Sequence, residues 1–217
     1  QKICRKSCIC KNGECLWIAV RTLVNVFYHS GEVVPKPSAD HVGKKNGTQK
    51  GWYHSMTIPI TVTSWLPRPA VKYHGCYQKG FEKYLKTWLG TENYIHLFAG
   101  LSKTGYRVDI NASVEPDLVA NCENLPLADN IFNGGMADPP YNEEFSKNLY
   151  NCKYPKWSKW TSELVRVCKP KSKIGIMQNY ICPLIPKCNY HHIYFIPTRI
   201  KQFPKVVTVY EKELALQ

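Results

Sequence analysis

Four strand-like segments crowd into the middle of the chain with very little between them. Residues 94–99, 106–110, 117–120 and 131–137 are short runs of apolar, β-branched and aromatic residues. Only residues 100–105 join the first to the second, and only residues 111–116 join the second to the third. A parallel crossover normally needs a dozen or more residues, usually a helix. If these strands are parallel, one face of the sheet lacks its covering helices, and the aromatic-rich N-terminal region is the candidate to bury it.

The flanking segments give the rest of an α/β pattern. Residues 58–65 alternate as a strand, ended by Pro67 and Pro69. Residues 75–92 read as a helix, with Tyr77, Phe81, Tyr84, Leu85, Trp88 and Leu89 on one face and Gly90 as its stop. A second helix is expected over 157–168, ended by Lys169-Pro170, then strands over 174–178, 190–196 and 205–211. Residues 17–28 fit a strand or a buried helix equally well, and 29–55 are loop-like. The 217 residues suit one large domain with a small appendage, divided here as 1–74 and 75–217. No run of about 18 apolar residues exists, so no membrane-spanning helix is expected. The N-terminus reads as no secretory signal and lacks an initiator Met, so an upstream segment is a possibility.

Lys and Arg number 29 against 16 Asp and Glu, a formal charge of +13. Such a surface favours polyanions, nucleic acid first, because each cation beside a phosphate releases counterions. The surplus is densest in residues 1–74, with 11 basic against 3 acidic residues. There Lys44, Lys45, Lys50, Trp52 and Tyr53 mix cations with aromatics suited to stacking on bases; the plainer reading is a solvated loop. Cys4, Cys8, Cys10 and Cys15 offer four thiolates in twelve residues, the donor set of a structural Zn²⁺. Disulfides or free thiols are the alternatives. The six other cysteines are scattered, which fits a reduced intracellular protein, cytoplasmic or, in a eukaryote, nuclear. His191-His192 falls in a strand pattern and reads as structural.

Asp138-Pro139-Pro140-Tyr141 follows the strand at 131–137. Here the chain resembles the class I S-adenosylmethionine-dependent amino-methyltransferases that modify adenine N6 or cytosine N4 in DNA. The resemblance implies an exocyclic base amine as the target, a poor nucleophile because its lone pair is delocalised into the ring. Acceptors aimed at its hydrogens would free that lone pair: the Asp138 carboxylate is one and the Pro139 carbonyl a second. Consecutive prolines stiffen the loop, and Tyr141 can stack on an extruded base. The resemblance covers residues 94 to about 211.

It implies a Rossmann-like methyltransferase sheet, reduced in helices, behind the small Cys-rich N-terminal region. It also implies a cofactor site. Phe98, Ala99, Gly100 and Ser102 would form the first motif, beside the methionine part of S-adenosylmethionine. Asp109 and Ile110 would meet the ribose hydroxyls, and Asn121, Cys122 and Glu123 the adenine, with Asp138 shared between cofactor and target. Ser102 stands where a second Gly is common, Asn121 where an Asp is frequent, and Asn133 also where an Asp is frequent. The expected partner is nucleic acid, DNA ahead of RNA, with a protein partner possible. The alternatives are an RNA adenine-N6 or guanine-N2 methyltransferase, and a non-catalytic zinc-stabilised nucleic-acid-binding module on the same fold. The target base, sequence context and oligomeric state are not legible.

Overall fold

The computed structural model describes residues 58–64, 66–67, 76–197 and 203–214. The Cys4–Cys15 cluster, the Lys44–Tyr53 loop and segment 17–28 lie outside the described residues. The elements are β1 (Ile60–Val62), α1 (Glu82–Leu89), β2 (Ile95–Leu97), β3 (Tyr106–Asp109), β4 (Leu118–Val119), β5 (Phe132–Ala137), α2 (Glu143–Tyr150), α3 (Trp157–Val167), β6 (Cys168–Gln178), β7 (Cys188–Ile196) and β8 (Lys205–Lys212). This is a mixed α/β sheet with few helices. Among the described residues its order is β1-β7-β8-β6-β5-β2-β3-β4. All neighbours pair in parallel except β8, which runs antiparallel between β6 and β7.

The chain walks from β2 to β3 to β4, then returns to place β5 on the other side of β2. That reversal between β2 and β5 is a topological switch point, where the carboxyl ends of the strands leave a crevice. The boundary expected at residue 74/75 is crossed by the sheet, because β1 pairs with β7. His192 Nε2 and Thr61 Oγ1 lie 2.8 Å apart across that pairing, and His192 stacks on Tyr194, the structural role expected of it.

The short crossovers are real. β2 and β3 pair in parallel, Ile95 with Tyr106 and Leu97 with Val108, across a link that turns without a helix. Gly105 makes the turn possible: its φ is +74°, and a Cβ there would lie 2.5 Å from the Tyr94 ring. Between β3 and β4 there is only the 3₁₀ turn Ala112–Val114.

Each strand alternates, so the sheet has two apolar faces. On one, α3 buries Trp160 and Leu164 against Ile95, Leu97, Ala137, Ile174, Ile176 and Tyr210. Gly135 lets α3 approach, since a Cβ there would meet Leu164 at 2.8 Å. On the other, α1 supplies Leu85, Trp88 and Leu89, and the preceding turn supplies Phe81, against Met136, Met177, Ile196, Val207 and Val209. Each fully buried large side chain contributes roughly 1.5–3 kcal/mol. The helix before β2 thus supplies the cover that a crossover helix would have given.

α1 is shorter than the span 75–92 expected of it. Gly80, at φ +88°, delays its start. It ends as expected at Gly90, whose left-handed backbone lets its N–H bond Lys86 O. α2 was not expected. Asn142 caps it, Oδ1 accepting from Phe145 N at 2.7 Å, Glu143 and Glu144 fill its first turn, and Asn151 ends it left-handed. α3 stops at Val167 and β6 starts directly after it, so Lys169 and Pro170 lie inside the strand rather than in the stop expected of them.

Candidate active site

A cavity of about 680 Å³ opens at the switch point. Its walls come from the carboxyl ends of four neighbouring strands: Phe98 and Gly100 after β2, Asp109 to Asn111 after β3, Asn121 to Glu123 after β4, and Asp138 to Tyr141 after β5. Its far side is built by α2 and the turn after it, through Phe145, Leu149, Tyr150 and Tyr154, and by Lys205 at the start of β8. The size is that of a typical ligand pocket.

Asp109 holds the first wall together. Its Oδ2 accepts from Gly100 N at 2.9 Å and its Oδ1 from Asn111 N at 2.9 Å. Each carboxylate oxygen keeps further acceptor capacity for a ligand hydroxyl. Phe98, with φ +55°, turns the chain out of β2 and packs edge-on against Trp160. Cys122 is buried beneath, its thiol pushed up to about 12 by burial, so it serves as an inert apolar floor. Asn121 Oδ1 accepts from Glu123 N at 2.9 Å, closing the turn. Glu123 in turn accepts from Lys156 N, at the head of α3.

Two expected cofactor residues do not line the cavity. Ala99 is buried. Ser102 is also buried; its Oγ donates to Glu82 Oε1 at 2.5 Å, and Lys103 N donates to the same oxygen at 3.0 Å. A polar network continues behind the loop. Tyr94 donates to Thr104 Oγ1 at 2.7 Å, and His96 Nδ1 sits 3.1 Å from Thr104 O. Only a protonated Nδ1 satisfies that carbonyl, so Nε2 is the acceptor for the Tyr77 hydroxyl, 2.7 Å away. Burial lowers the His96 pKa to about 4, keeping the ring neutral.

Asp138 emerges from β5, half-buried and facing the cavity. Burial raises its pKa to about 6, against the opposing pull of Lys205 and of the Tyr141 hydroxyl. It is therefore a partly desolvated carboxylate, still ionised at neutral pH. Lys205 Nζ lies 3.5 Å from the centroid of the Tyr141 ring, a cation–π contact.

Two residues of α3 that were not expected at the site brace it. Glu163 and Arg166 of α3 form an ion pair at 2.8 Å. Glu163 also accepts from Leu125 N at 2.7 Å, and Arg166 donates to Leu125 O at 3.1 Å, Leu127 O at 2.8 Å and Asp129 Oδ1 at 2.6 Å. Together they clamp the loop after β4. Their spacing of three on a helix lets the two side chains meet.

Among the described residues no group of three or more His, Cys, Asp or Glu side chains is placed to hold a metal ion, and no helix is long and apolar enough to cross a membrane. Cys122, Cys152, Cys168, Cys182 and Cys188 are free thiols. The proposed zinc ligands and the basic loop residues Lys44, Lys45, Lys50, Trp52 and Tyr53 lie outside the described residues.

No protein-family model matches the chain, and no curated protein matches it. Solved structures similar to it include TrmN from Thermus thermophilus, at 15% identity over 60% of this chain and 47% of that one, with a TM-score of 0.43. This chain thus matches about half the length of TrmN. A SAM-dependent methyltransferase from Methanosarcina mazei matches at 12% identity over 60% of this chain and 97% of that one, TM-score 0.43. The N-methyltransferase NodS from Bradyrhizobium japonicum matches at 7% identity over 61% and 94%, TM-score 0.44.

Proposed function

We propose that the protein is an S-adenosylmethionine-dependent methyltransferase acting on an exocyclic amine of a nucleic-acid base, adenine N6 or cytosine N4 in DNA ahead of an RNA base. The observation that carries this reading is the Asp138 carboxylate at the end of β5, stiffened by Pro139 and Pro140 and opening on a cavity at the switch point of a parallel sheet. The rest of the lining fits the cofactor. Asp109 has acceptor capacity for ribose hydroxyls, Phe98 and Cys122 give apolar surface for an adenine, and the Gly100 backbone lets a ligand approach closely. When bound, the cofactor supplies a sulfonium-activated methyl group.

The chain's own residues position and desolvate the acceptor. The Asp138 carboxylate and Pro139 carbonyl accept from the two amine hydrogens, which localises the nitrogen lone pair. Tyr141 offers a ring for the extruded base, with Phe145, Tyr150 and Tyr154 around it. In the same reading, the N-terminal region binds a structural Zn²⁺ through Cys4, Cys8, Cys10 and Cys15 and presents Lys44–Tyr53 to phosphates; elemental analysis of the full chain tests the metal.

Methyl transfer from labelled cofactor to duplex DNA, single-stranded DNA and RNA, with the product nucleoside identified by mass spectrometry, tests the function. Label that is lost in Asp138→Ala while cofactor affinity survives supports it, and the labelled substrate separates DNA from RNA. Absence of cofactor binding by calorimetry would replace it with a nucleic-acid-binding module.

A further inference from the structure

No motif points to Lys205, yet it lines the cavity beside Tyr141. Its Nζ covers one face of Tyr141 at 3.5 Å and donates to Asn179 Oδ1 at 3.3 Å. Asp138 lines the same cavity, so the lysine nitrogen covers the ring and shares the pocket of the carboxylate that the proposed function assigns to a target amine. Lys153, the other lysine in the lining, is exposed at the rim, whereas Lys205 is half-buried. The structure therefore seats a primary amine of the chain where a target amine is to be held.

We infer that Lys205 is an acceptor in its own right, and that the protein methylates Lys205 Nζ within the same molecule. The inference rests on the methyltransferase reading of this cavity. Burial lowers the Lys205 pKa from the ordinary lysine range, while Asp138 pulls the other way. The ammonium loses one proton to solvent. The freed Nζ lone pair forms a bond to the methyl carbon of S-adenosylmethionine. The carbon–sulfur bond breaks with its electron pair going to sulfur, which leaves neutral S-adenosylhomocysteine and a cationic secondary amine on Lys205. A methylated ammonium remains a good partner for an aromatic face, so the product keeps its place over Tyr141.

Purified full-length protein is incubated with S-adenosylmethionine without nucleic acid, then digested and mapped by mass spectrometry. The expected result is one methyl mass on the Lys205 peptide and none on Lys153. Its rate constant is unchanged on dilution, as an intramolecular step requires, and the mass is absent in Asp138→Ala and Lys205→Arg. A second readout needs no cofactor. Reductive ¹³C-methylation with formaldehyde gives a Lys205 resonance, assigned by its loss in Lys205→Arg. It should titrate below those of the exposed lysines and move in Asp138→Asn. Protein that binds the cofactor and methylates nucleic acid but leaves Lys205 unmodified would overturn the inference alone. A Lys205 resonance that titrates with the exposed lysines and ignores Asp138→Asn would overturn it as well. Failure to bind the cofactor at all would remove the methyltransferase reading and this inference with it.

Discussion

Ser102 donates its hydroxyl to Glu82 Oε1 at 2.5 Å, which ties the loop after β2 to the first turn of α1. In a sheet with a helix between β2 and β3, the loop would be anchored by that helix. Here the anchor comes from twenty residues earlier in the chain. Glu82→Ala should therefore weaken cofactor affinity about tenfold, since a lost charge-assisted hydrogen bond costs about 1.5–3 kcal/mol. Ser102→Ala should cost less, because Lys103 N still donates to Glu82. Calorimetric titration with S-adenosylhomocysteine checks both; an unchanged affinity in Glu82→Ala would show that the loop is held by other means.

Asp138→Asn should abolish transfer and raise the melting temperature. With its pKa raised to about 6 by burial, the native Asp138 binds a proton that the unfolded chain has already released, so its charge costs stability as pH rises toward and above 6. Removing that charge should stabilise the protein by on the order of 1 kcal/mol at pH 7, after allowance for its partial exposure. A lower melting temperature would mean that the Lys205 contact outweighs the desolvation cost.

His96 acts in the same pH window with the opposite sign. Its pKa falls from 6.5 to about 4 in the fold, so acidification from about pH 6.5 downward protonates the unfolded chain first and lowers stability. Between about pH 4 and 6 the two groups offset each other. Asp138→Asn should therefore make the stability of the protein fall more steeply with acid than it does in the wild type. Urea denaturation at pH 7 and pH 5 reads this directly; parallel curves for both proteins would refute it.

Arg166→Met should loosen the loop after β4. Its guanidinium lowers the Glu163 pKa from the usual carboxylate range, and it donates to two carbonyls and to Asp129 of the loop. A loss of about 2–3 kcal/mol is expected from the broken charge-assisted bonds, with a weaker cofactor affinity because Asn121 and Glu123 lose their support. Denaturant midpoints with and without ligand measure the two effects separately.

Asp109→Ala should weaken cofactor binding more than it lowers stability. Two backbone N–H groups lose their acceptor, but both lie at the cavity, where water can replace it. Equal affinity in the variant would exclude Asp109 from the site.

The strand ends were legible because their residues carry chemistry that a β-strand does not need: Asp109, Asp138 and two prolines. The lost crossovers were legible from chain length alone. α2 was missed because Phe145 and Leu149 make only a two-turn apolar face. Asn142, Glu143, Glu144 and Asn151 nonetheless mark its two ends. Ser102 was expected beside the cofactor because its place in the motif suggested it. In the fold, the missing helix leaves a gap that Glu82 fills, and the side chain turns inward to meet it. Lys205 and Arg166 were not expected at the site. Lys205 meets Tyr141 through contacts that span much of the chain, and Arg166 reaches loop atoms some 40 residues away.

The order of cover and sheet also fixes where the protein can be cut. Because α1 precedes β2, a fragment starting after Gly90 would retain every strand from β2 onward, together with the complete cavity wall. It would also expose Met136, Met177, Val207 and Val209 as one contiguous apolar surface. Exposed patches of that kind drive association between copies. The minimal unit that stays unassociated is therefore set by the aromatic face of an eight-residue helix that lines no part of the cavity, and a fragment trimmed to the motif-bearing region should aggregate and, without Glu82, bind the cofactor more weakly.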